Sequence, residues 1–343
     1  MRILNIMLAE VRGGVETMSL RYHQAMKAAG FTVLSLGHKD GVLGQNLPAA
    51  EFRAAHALVN HDPFVALALR GIAKTFKPDL ILTHGNRATG IALLPFIGTA
   101  NKTVQVVHNF RHKGQGSRLL AAICVSSSVH DSLKAAHPEL PLYDVANFGP
   151  LDARDVKPAP SHTPILGTLG RLHAQKGIDV MIRALALLQK ENIILPLRIA
   201  GDGPLSAQLH ALAHEQGVER QTDFRGWVSP AADYLHGLDL FILPSRIEPF
   251  GLVVAESMAA GVPVVATDID GPKEILKDGA LGYLCPPDDP HALAEAIKRA
   301  IGDWKTTLAK ARAAQDHALS HYSLEAGQAR LIDALKQIAQ NRP

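Results

Sequence analysis

The sequence predicts an α/β fold with two doubly wound domains, and three observations carry this. Short apolar runs of strand length recur along the chain and alternate with amphipathic, Ala- and Leu-rich stretches, the pattern of repeated βα units on a mainly parallel sheet. The alternation breaks at Lys157-Pro158-Ala159-Pro160-Ser161-His162-Thr163-Pro164, where three prolines in eight residues mark a linker. At 343 residues the chain also exceeds the ~250–300 at which a single core stops growing.

In the first half, strands are expected at 2–8, 32–36, 79–84, 103–108, 121–126 and 144–147. After the linker they are expected at 165–169, 197–200, 223–225, 240–243, 262–267 and 282–285, with helices at 177–189, 206–215, 252–260 and 290–301. Pro290 suits a first helical turn and Gly261 a C-terminal cap. The boundaries read as a domain over 1–156, a linker over 157–164, a second domain over 165–324, and a helix over 325–343 that packs back on the first domain. Two such domains joined by a hinge leave a cleft.

Composition places the chain among ordinary globular proteins, with 47% hydrophobic and 20% charged residues. No apolar run approaches the ~18 residues that span a bilayer, and residues 1–14 read as a strand rather than a signal peptide. Cys124 and Cys285 both lie in apolar strands and read as buried thiols, which fits a reducing cytoplasm. Charge is uneven. Residues 1–150 hold 15 Lys and Arg against 9 Asp and Glu, or +6, while the remainder is at −3. A basic first half can face an anionic acceptor or a membrane surface, or simply be a solubilised surface. The small net charge and 5% aromatic content disfavour a nucleic-acid partner.

The residues that can carry chemistry sit where strands end. Gly13 and Gly14 follow the first strand and permit close approach of backbone to a ligand, or serve turn geometry alone. Arg171 and Lys176 lie in the loop after the first strand of the second domain, suited to a forked and a point-charge contact with a diphosphate, or to solvation. Gly201 and Gly203 end another strand; Ser206 stands where a dinucleotide fingerprint needs its third glycine, which disfavours a dehydrogenase. Glu248 and Glu256 bracket a Pro249-Phe250-Gly251-Leu252 turn that opens a helix, a phosphate-attracting start flanked by two acids that can read hydroxyls. His84 and His108 end two strands of the first domain, where active sites form in α/β sheets. Asp268-Ile269-Asp270 looks like a paired-aspartate metal motif and is read as structural.

Together GGVET at 13–17, LGTLGRLHAQKG at 166–177, IAGDGP at 199–204, FRGWV at 224–228, LPSRIEPFGLVVAESMAAGVPVVAT at 243–267 and GPKEIL at 271–276 resemble the retaining glycosyltransferases of family 4, or group 1. The resemblance covers nearly the whole chain. It implies the GT-B architecture, two Rossmann-like domains facing each other across a cleft, with the acceptor on the first and the nucleotide-sugar on the second. It implies that Gly13, Gly14, Gly201, Gly203, Phe250, Gly251, Leu252 and Glu256 lie at the donor, Glu256 on the ribose. Arg171 and Lys176 would bind the diphosphate, Glu248 the donor-sugar hydroxyls, and His108 would stand near the reacting centre. Asn109 follows His108 where many relatives carry Asp or Gly.

The expected reaction retains anomeric configuration and needs no metal or other cofactor, because Arg171 and Lys176 stabilise the departing diphosphate. The candidate catalytic residues are thus Arg171, Lys176, Glu248 and His108. On the acceptor side, His84 is joined by Arg111, Lys113 and Arg118 in a basic segment that recognises an anionic or lipid-linked acceptor, such as an envelope glycolipid core at the inner membrane face, or is a flexible polar loop. The rival readings are a nucleotide-sugar epimerase on the same fold and a non-catalytic nucleotide-sugar-binding protein.

Overall fold

The computed structural model describes residues 1–341 other than 11, 12, 58, 60 and 111–115, and leaves out the Ser117 side chain. Contacts divide the chain into two compact units: residues 1–149 with the helix after 323, and residues 150–323.

Unit 1 holds β1 (Arg2–Met7), β2 (Thr32–Gly37), β3 (Phe52–Ala54), β4 (Leu80–His84), β5 (Thr103–Val107), β6 (Ala121–Cys124) and β7 (Leu142–Asp144), in the order β3-β2-β1-β4-β5-β6-β7. Every pairing is parallel, so both faces need helical cover. That cover includes α1 (Gly14–Ala28), α2 (Val42–Asn46), α3 (Pro63–Phe76), α4 (Asn86–Ala92) and α5 (Ser127–Ala136). The strand expected at 144–147 lies instead at Leu142–Asp144. Phe148, just beyond that span, is buried against α1, its ring stacked on Tyr22 at 5.8 Å. The edge strand β3 was not anticipated, being three residues long and largely exposed.

Unit 2 holds β8 (Leu166–Leu169), β9 (Leu197–Ala200), β10 (Thr222–Gly226), β11 (Leu240–Leu243), β12 (Val264–Thr267) and β13 (Tyr283–Cys285), again all parallel, in the order β10-β9-β8-β11-β12-β13. Its helices are α6 (Ile178–Lys190), α7 (Ser206–Glu215), α8 (Ala231–His236), α9 (Leu252–Ala259), α10 (Asp270–Ile275), α11 (Pro290–Gly302) and α12 (Trp304–Tyr322). The α6 positions Ile178, Met181, Ile182, Leu185 and Leu188 recur at helical spacing and are all buried in the core under β8 and β9. Asp289 caps α11 through its bond from the Ala292 amide, with Pro290 in the first turn as expected. The Pro-rich segment is docked, not loose. Buried Asp239 accepts from the amides of Ile165 (2.9 Å) and Ser161 (3.3 Å) and from Lys157 Nζ (3.3 Å). The chain then returns to unit 1 as α13 (Leu324–Gln340), whose Gly327 lies directly against the Phe148 ring.

Candidate functional site

In unit 2 the strand order reverses between β8 and β11, and in open α/β sheets the crevice beyond the carboxyl ends of such strands binds ligands. The loop leaving β8 carries Arg171 and Lys176; the loop leaving β11 carries Glu248. The fold brings two of these together: Lys176 Nζ forms an ion pair with Glu248 Oε2, with side chains 27% and 13% exposed. Lys176 stands on the single 3-10 turn Ala174–Lys176, and Gly177 follows it at φ +62°. A Cβ on Gly177 would lie 1.9 Å from the Pro244 carbonyl oxygen, so the two loops touch backbone to backbone and only glycine fits. Arg171 is exposed at the rim.

A residue that sequence reasoning did not place in the site holds these loops in register. Arg246, two positions before Glu248, donates from Nη1 and Nη2 to Asp179 at 2.8 Å each and from Nη1 to the Ala174 carbonyl at 2.7 Å. Its amide also bonds the Gln175 carbonyl at 2.8 Å. The side-chain bonds to Asp179, and a further one to Asp288, hold the guanidinium above its usual pKa. Burial works to raise the Asp179 pKa, but the bonds and charge of Arg246 outweigh it and the carboxyl stays below its ordinary value. The signal in the sequence was an acid in the first turn of α6 and a cation just before Glu248; nothing local pairs them.

Gly201 and Gly203 serve the site by bracing it. Cβ atoms there would lie 1.9 Å from the Gly170 carbonyl oxygen and 2.4 Å from that of Leu172. The loops after β8 and β9 are zipped by Gly170 N to Ala200 O (3.0 Å) and Leu172 N to Asp202 O (2.9 Å). Phe250 turns its ring into the core, edge-on to Tyr322 at 5.6 Å, so only its backbone can meet a ligand. Gly251 starts α9 in the left-handed region with no side chain capping the helix, and Leu252 is its first residue. Glu256 follows one turn later, partly exposed.

In unit 1 the order reverses between β1 and β4. Gly13 precedes α1 and Gly14 opens it, again without a side-chain cap. The space beside Gly13 is taken by the Glu16 carboxylate, which a Cβ would meet at 2.8 Å. Burial raises the Glu16 pKa above its ordinary value, against a backbone hydrogen bond that lowers it. His84 ends β4 and is buried, 2% exposed. Its Nδ1 meets His108 Nε2 at 3.1 Å and its Nε2 meets Asn5 Oδ1 at 2.9 Å. His108 is half-buried, and burial pushes its pKa down to about 4. Arg118, exposed overall, donates from Nη2 to the Leu93 carbonyl just after α4. Arg111 and Lys113 lie outside the described residues.

Asp268 pairs with Lys273 at 2.9 Å, which suits the structural reading of the Asp268-Ile269-Asp270 segment. Among the described residues one group could share a cation: Cys124, His130 and Asp144, with His130 Nδ1 already 2.8 Å from Asp144. Burial and the Asp144 charge push the Cys124 thiol up to about 12, which disfavours the thiolate a metal takes. No helix among the described residues is long and apolar enough to cross a membrane.

The family profile described as Glycosyl transferases group 1 matches residues 152–317, nearly the whole of unit 2. The lipopolysaccharide core biosynthesis glycosyltransferase LpsE of Rhizobium meliloti is 31% identical over 184 residues, covering 54% of this chain and 52% of LpsE. The chain thus spans about half the length of that relative. Glycogen synthase of Mycobacterium tuberculosis is 29% identical over 307 residues, 81% of this chain and 73% of the synthase. Among solved structures, Anabaena Alr3699/HepE in complex with UDP superposes with a TM-score of 0.83 at 22% identity, covering 98% of this chain and all of HepE. Residues 152–317, just under half of the chain, thus match the glycosyl transferases group 1, and the chain has the two-unit α/β fold of HepE.

Proposed function

We propose that the protein is a retaining, metal-independent glycosyltransferase that moves a sugar from a nucleotide-diphosphate sugar to an acceptor hydroxyl. The observation that carries this is the Lys176–Glu248 pair at the switch point of unit 2. An ammonium has three donors, so one proton can stay on Glu248 while two meet phosphate oxygens. Arg171 at the rim adds a second cation. Glu248 keeps lone pairs for the hydroxyls of the sugar, and the uncapped start of α9 adds amides aimed at an anion. As the bond to the anomeric carbon breaks, negative charge grows on the leaving diphosphate where these donors are already fixed, which is the most effective form of electrostatic catalysis. Arg171 and Lys176 supply the positive charge that a metal would otherwise bring. Retention follows if the leaving phosphate accepts the proton of an acceptor attacking on the same face.

A UDP-sugar donor is favoured by the HepE complex, and an envelope glycolipid or polysaccharide acceptor by the name of LpsE. Such an acceptor would place the enzyme in the cytoplasm, touching the inner membrane face with Arg111, Lys113 and Arg118. The test is thermal unfolding with UDP, GDP, ADP, TDP, CMP and their sugars. One nucleotide family should raise Tm, more so with its sugar attached. Transfer from that donor with inverted configuration, or no shift with any of them, would reject the reading.

A further inference from the structure

A buried chain of polar side chains runs behind His108 through the sheet of unit 1. Asn5 on β1 is fully buried, and its Nδ2 donates to the Ser19 carbonyl at 3.0 Å and to Ser35 Oγ at 3.2 Å. A backbone carbonyl only accepts, so the Asn5 amide is fixed one way round: Nδ2 faces Ser19 and Oδ1 faces His84. Because Oδ1 also only accepts, His84 must carry its proton on Nε2, 2.9 Å away. Burial and the neighbouring His108 hold His84 well below its usual pKa, so the ring is neutral and its Nδ1 is a bare lone pair. The 3.1 Å contact from that Nδ1 to His108 Nε2 then requires the proton to sit on His108 Nε2. His108, itself neutral, is left with an unprotonated Nδ1 that has no hydrogen-bond partner among the described residues. On the far side, Ser35 Oγ lies 2.9 Å from His23 Nδ1, and His23 Nε2 lies 2.9 Å from Glu51, which pairs with Lys27 at 2.7 Å. Every donor from His108 to Glu51 can therefore point the same way.

We propose that Asn5 is a positioning residue that fixes the tautomers of His84 and His108, so that His108 presents the lone pair of Nδ1 to a hydroxyl of the bound substrate. The hydroxyl rests on the transferase reading; the tautomer does not. Asn5 touches no ligand and acts through two imidazoles, oriented by the Ser19 carbonyl within α1.

The experiment is long-range proton–nitrogen NMR on the protein labelled with 15N in its histidine rings, near pH 7.5, with His84→Gln and His108→Gln to assign the signals. Both rings should show a single Nε2–H form, with Nδ1 at the far-downfield position of an unprotonated nitrogen. Asn5→Leu removes the acceptor, so both rings should become mixtures of tautomers. Ser35→Ala should leave both as they were, because Ser19 still holds the amide. An Nδ1–H form on His108 in the unaltered protein overturns the proposal, and so does an unchanged Nε2–H form in Asn5→Leu. If Asn5→Leu does not fold, the spectra of the unaltered protein and Ser35→Ala still decide. With a donor in hand, kcat/KM of Asn5→Leu should fall roughly tenfold, about one hydrogen bond. Correct tautomers in a protein that transfers no sugar would leave the role of Asn5 standing and remove the transferase reading.

Discussion

At the scale of single residues, the site in unit 2 has a division of labour. On the proposed reading Lys176 faces the charge that must be stabilised, while Arg246 holds the loop that carries it. Lys176→Ala is expected to lower kcat at least ~100-fold, the usual cost of deleting a preorganised donor, while stability falls by only about 1 kcal/mol because the pair is partly solvated. Steady-state kinetics with a urea titration separates the two effects; near-normal turnover in a folded variant would remove Lys176 from the chemistry. Arg246→Lys keeps the charge but cannot fork onto Asp179. It should raise KM for the donor and cost about 1–2 kcal/mol of unit 2 stability. Unchanged donor KM would mean that the clamp does not position the loop. Lys176 and Glu248 were legible in the sequence because each lies in a short loop after a strand, where the period of the pattern places it. Arg246 was not, since its partners Asp179 and Asp288 are 67 and 42 residues away and only the folded sheet aligns them.

At the scale of elements, the strands buried on both faces announced themselves as continuous apolar runs, β1, β4, β5, β11 and β12 among them, and every strand of unit 2 fell where the alternation put it. The two edge strands of unit 1, each three residues long, gave a weaker signal. β3 is largely exposed and was not anticipated, and β7 was expected two residues later than it lies. The return of α13 shows how tightly elements are fitted. A Cβ on Gly327 would lie 2.0 Å from the Phe148 ring, so Gly327→Ala must move either the helix or the ring. Its expected cost is about 1–3 kcal/mol, with raised hydrogen exchange along α13. Full stability in that variant would show the helix to be loosely seated.

At the scale of the whole molecule, several histidines are held neutral by burial. His108 and His317 are pushed down to about 4, and His23 and His84 are also lowered. The unfolded chain, with histidines near 6.5, takes up protons first as the pH falls. Stability contributed by these groups is therefore complete above about pH 6.5 and lost progressively toward pH 4, by about 1.4 kcal/mol for each unit of displacement. Urea midpoints at pH 7.5 and 5.0, at constant ionic strength, should show the protein weaker at 5.0; an equal or higher midpoint there would contradict the assignment. The two-unit plan was legible because βα alternation restarts after the prolines. The docking of that segment on Asp239 was not, because a lone buried acid looks like any other Asp in the sequence.

Because α13 belongs to unit 1 although it follows all of unit 2, synthesis and folding are out of step. When the ribosome has released the first seven strands, Phe148 has Tyr22 of α1 on one side, but α13, which closes over it, has yet to be made. At ~5–20 residues per second that wait lasts roughly 10–40 s, during which the earlier half of the chain carries an uncovered aromatic surface in the cell. Unit 2, contiguous in sequence, can close in the meantime. The half made first is thus the half finished last, and it is the natural client for a chaperone during translation.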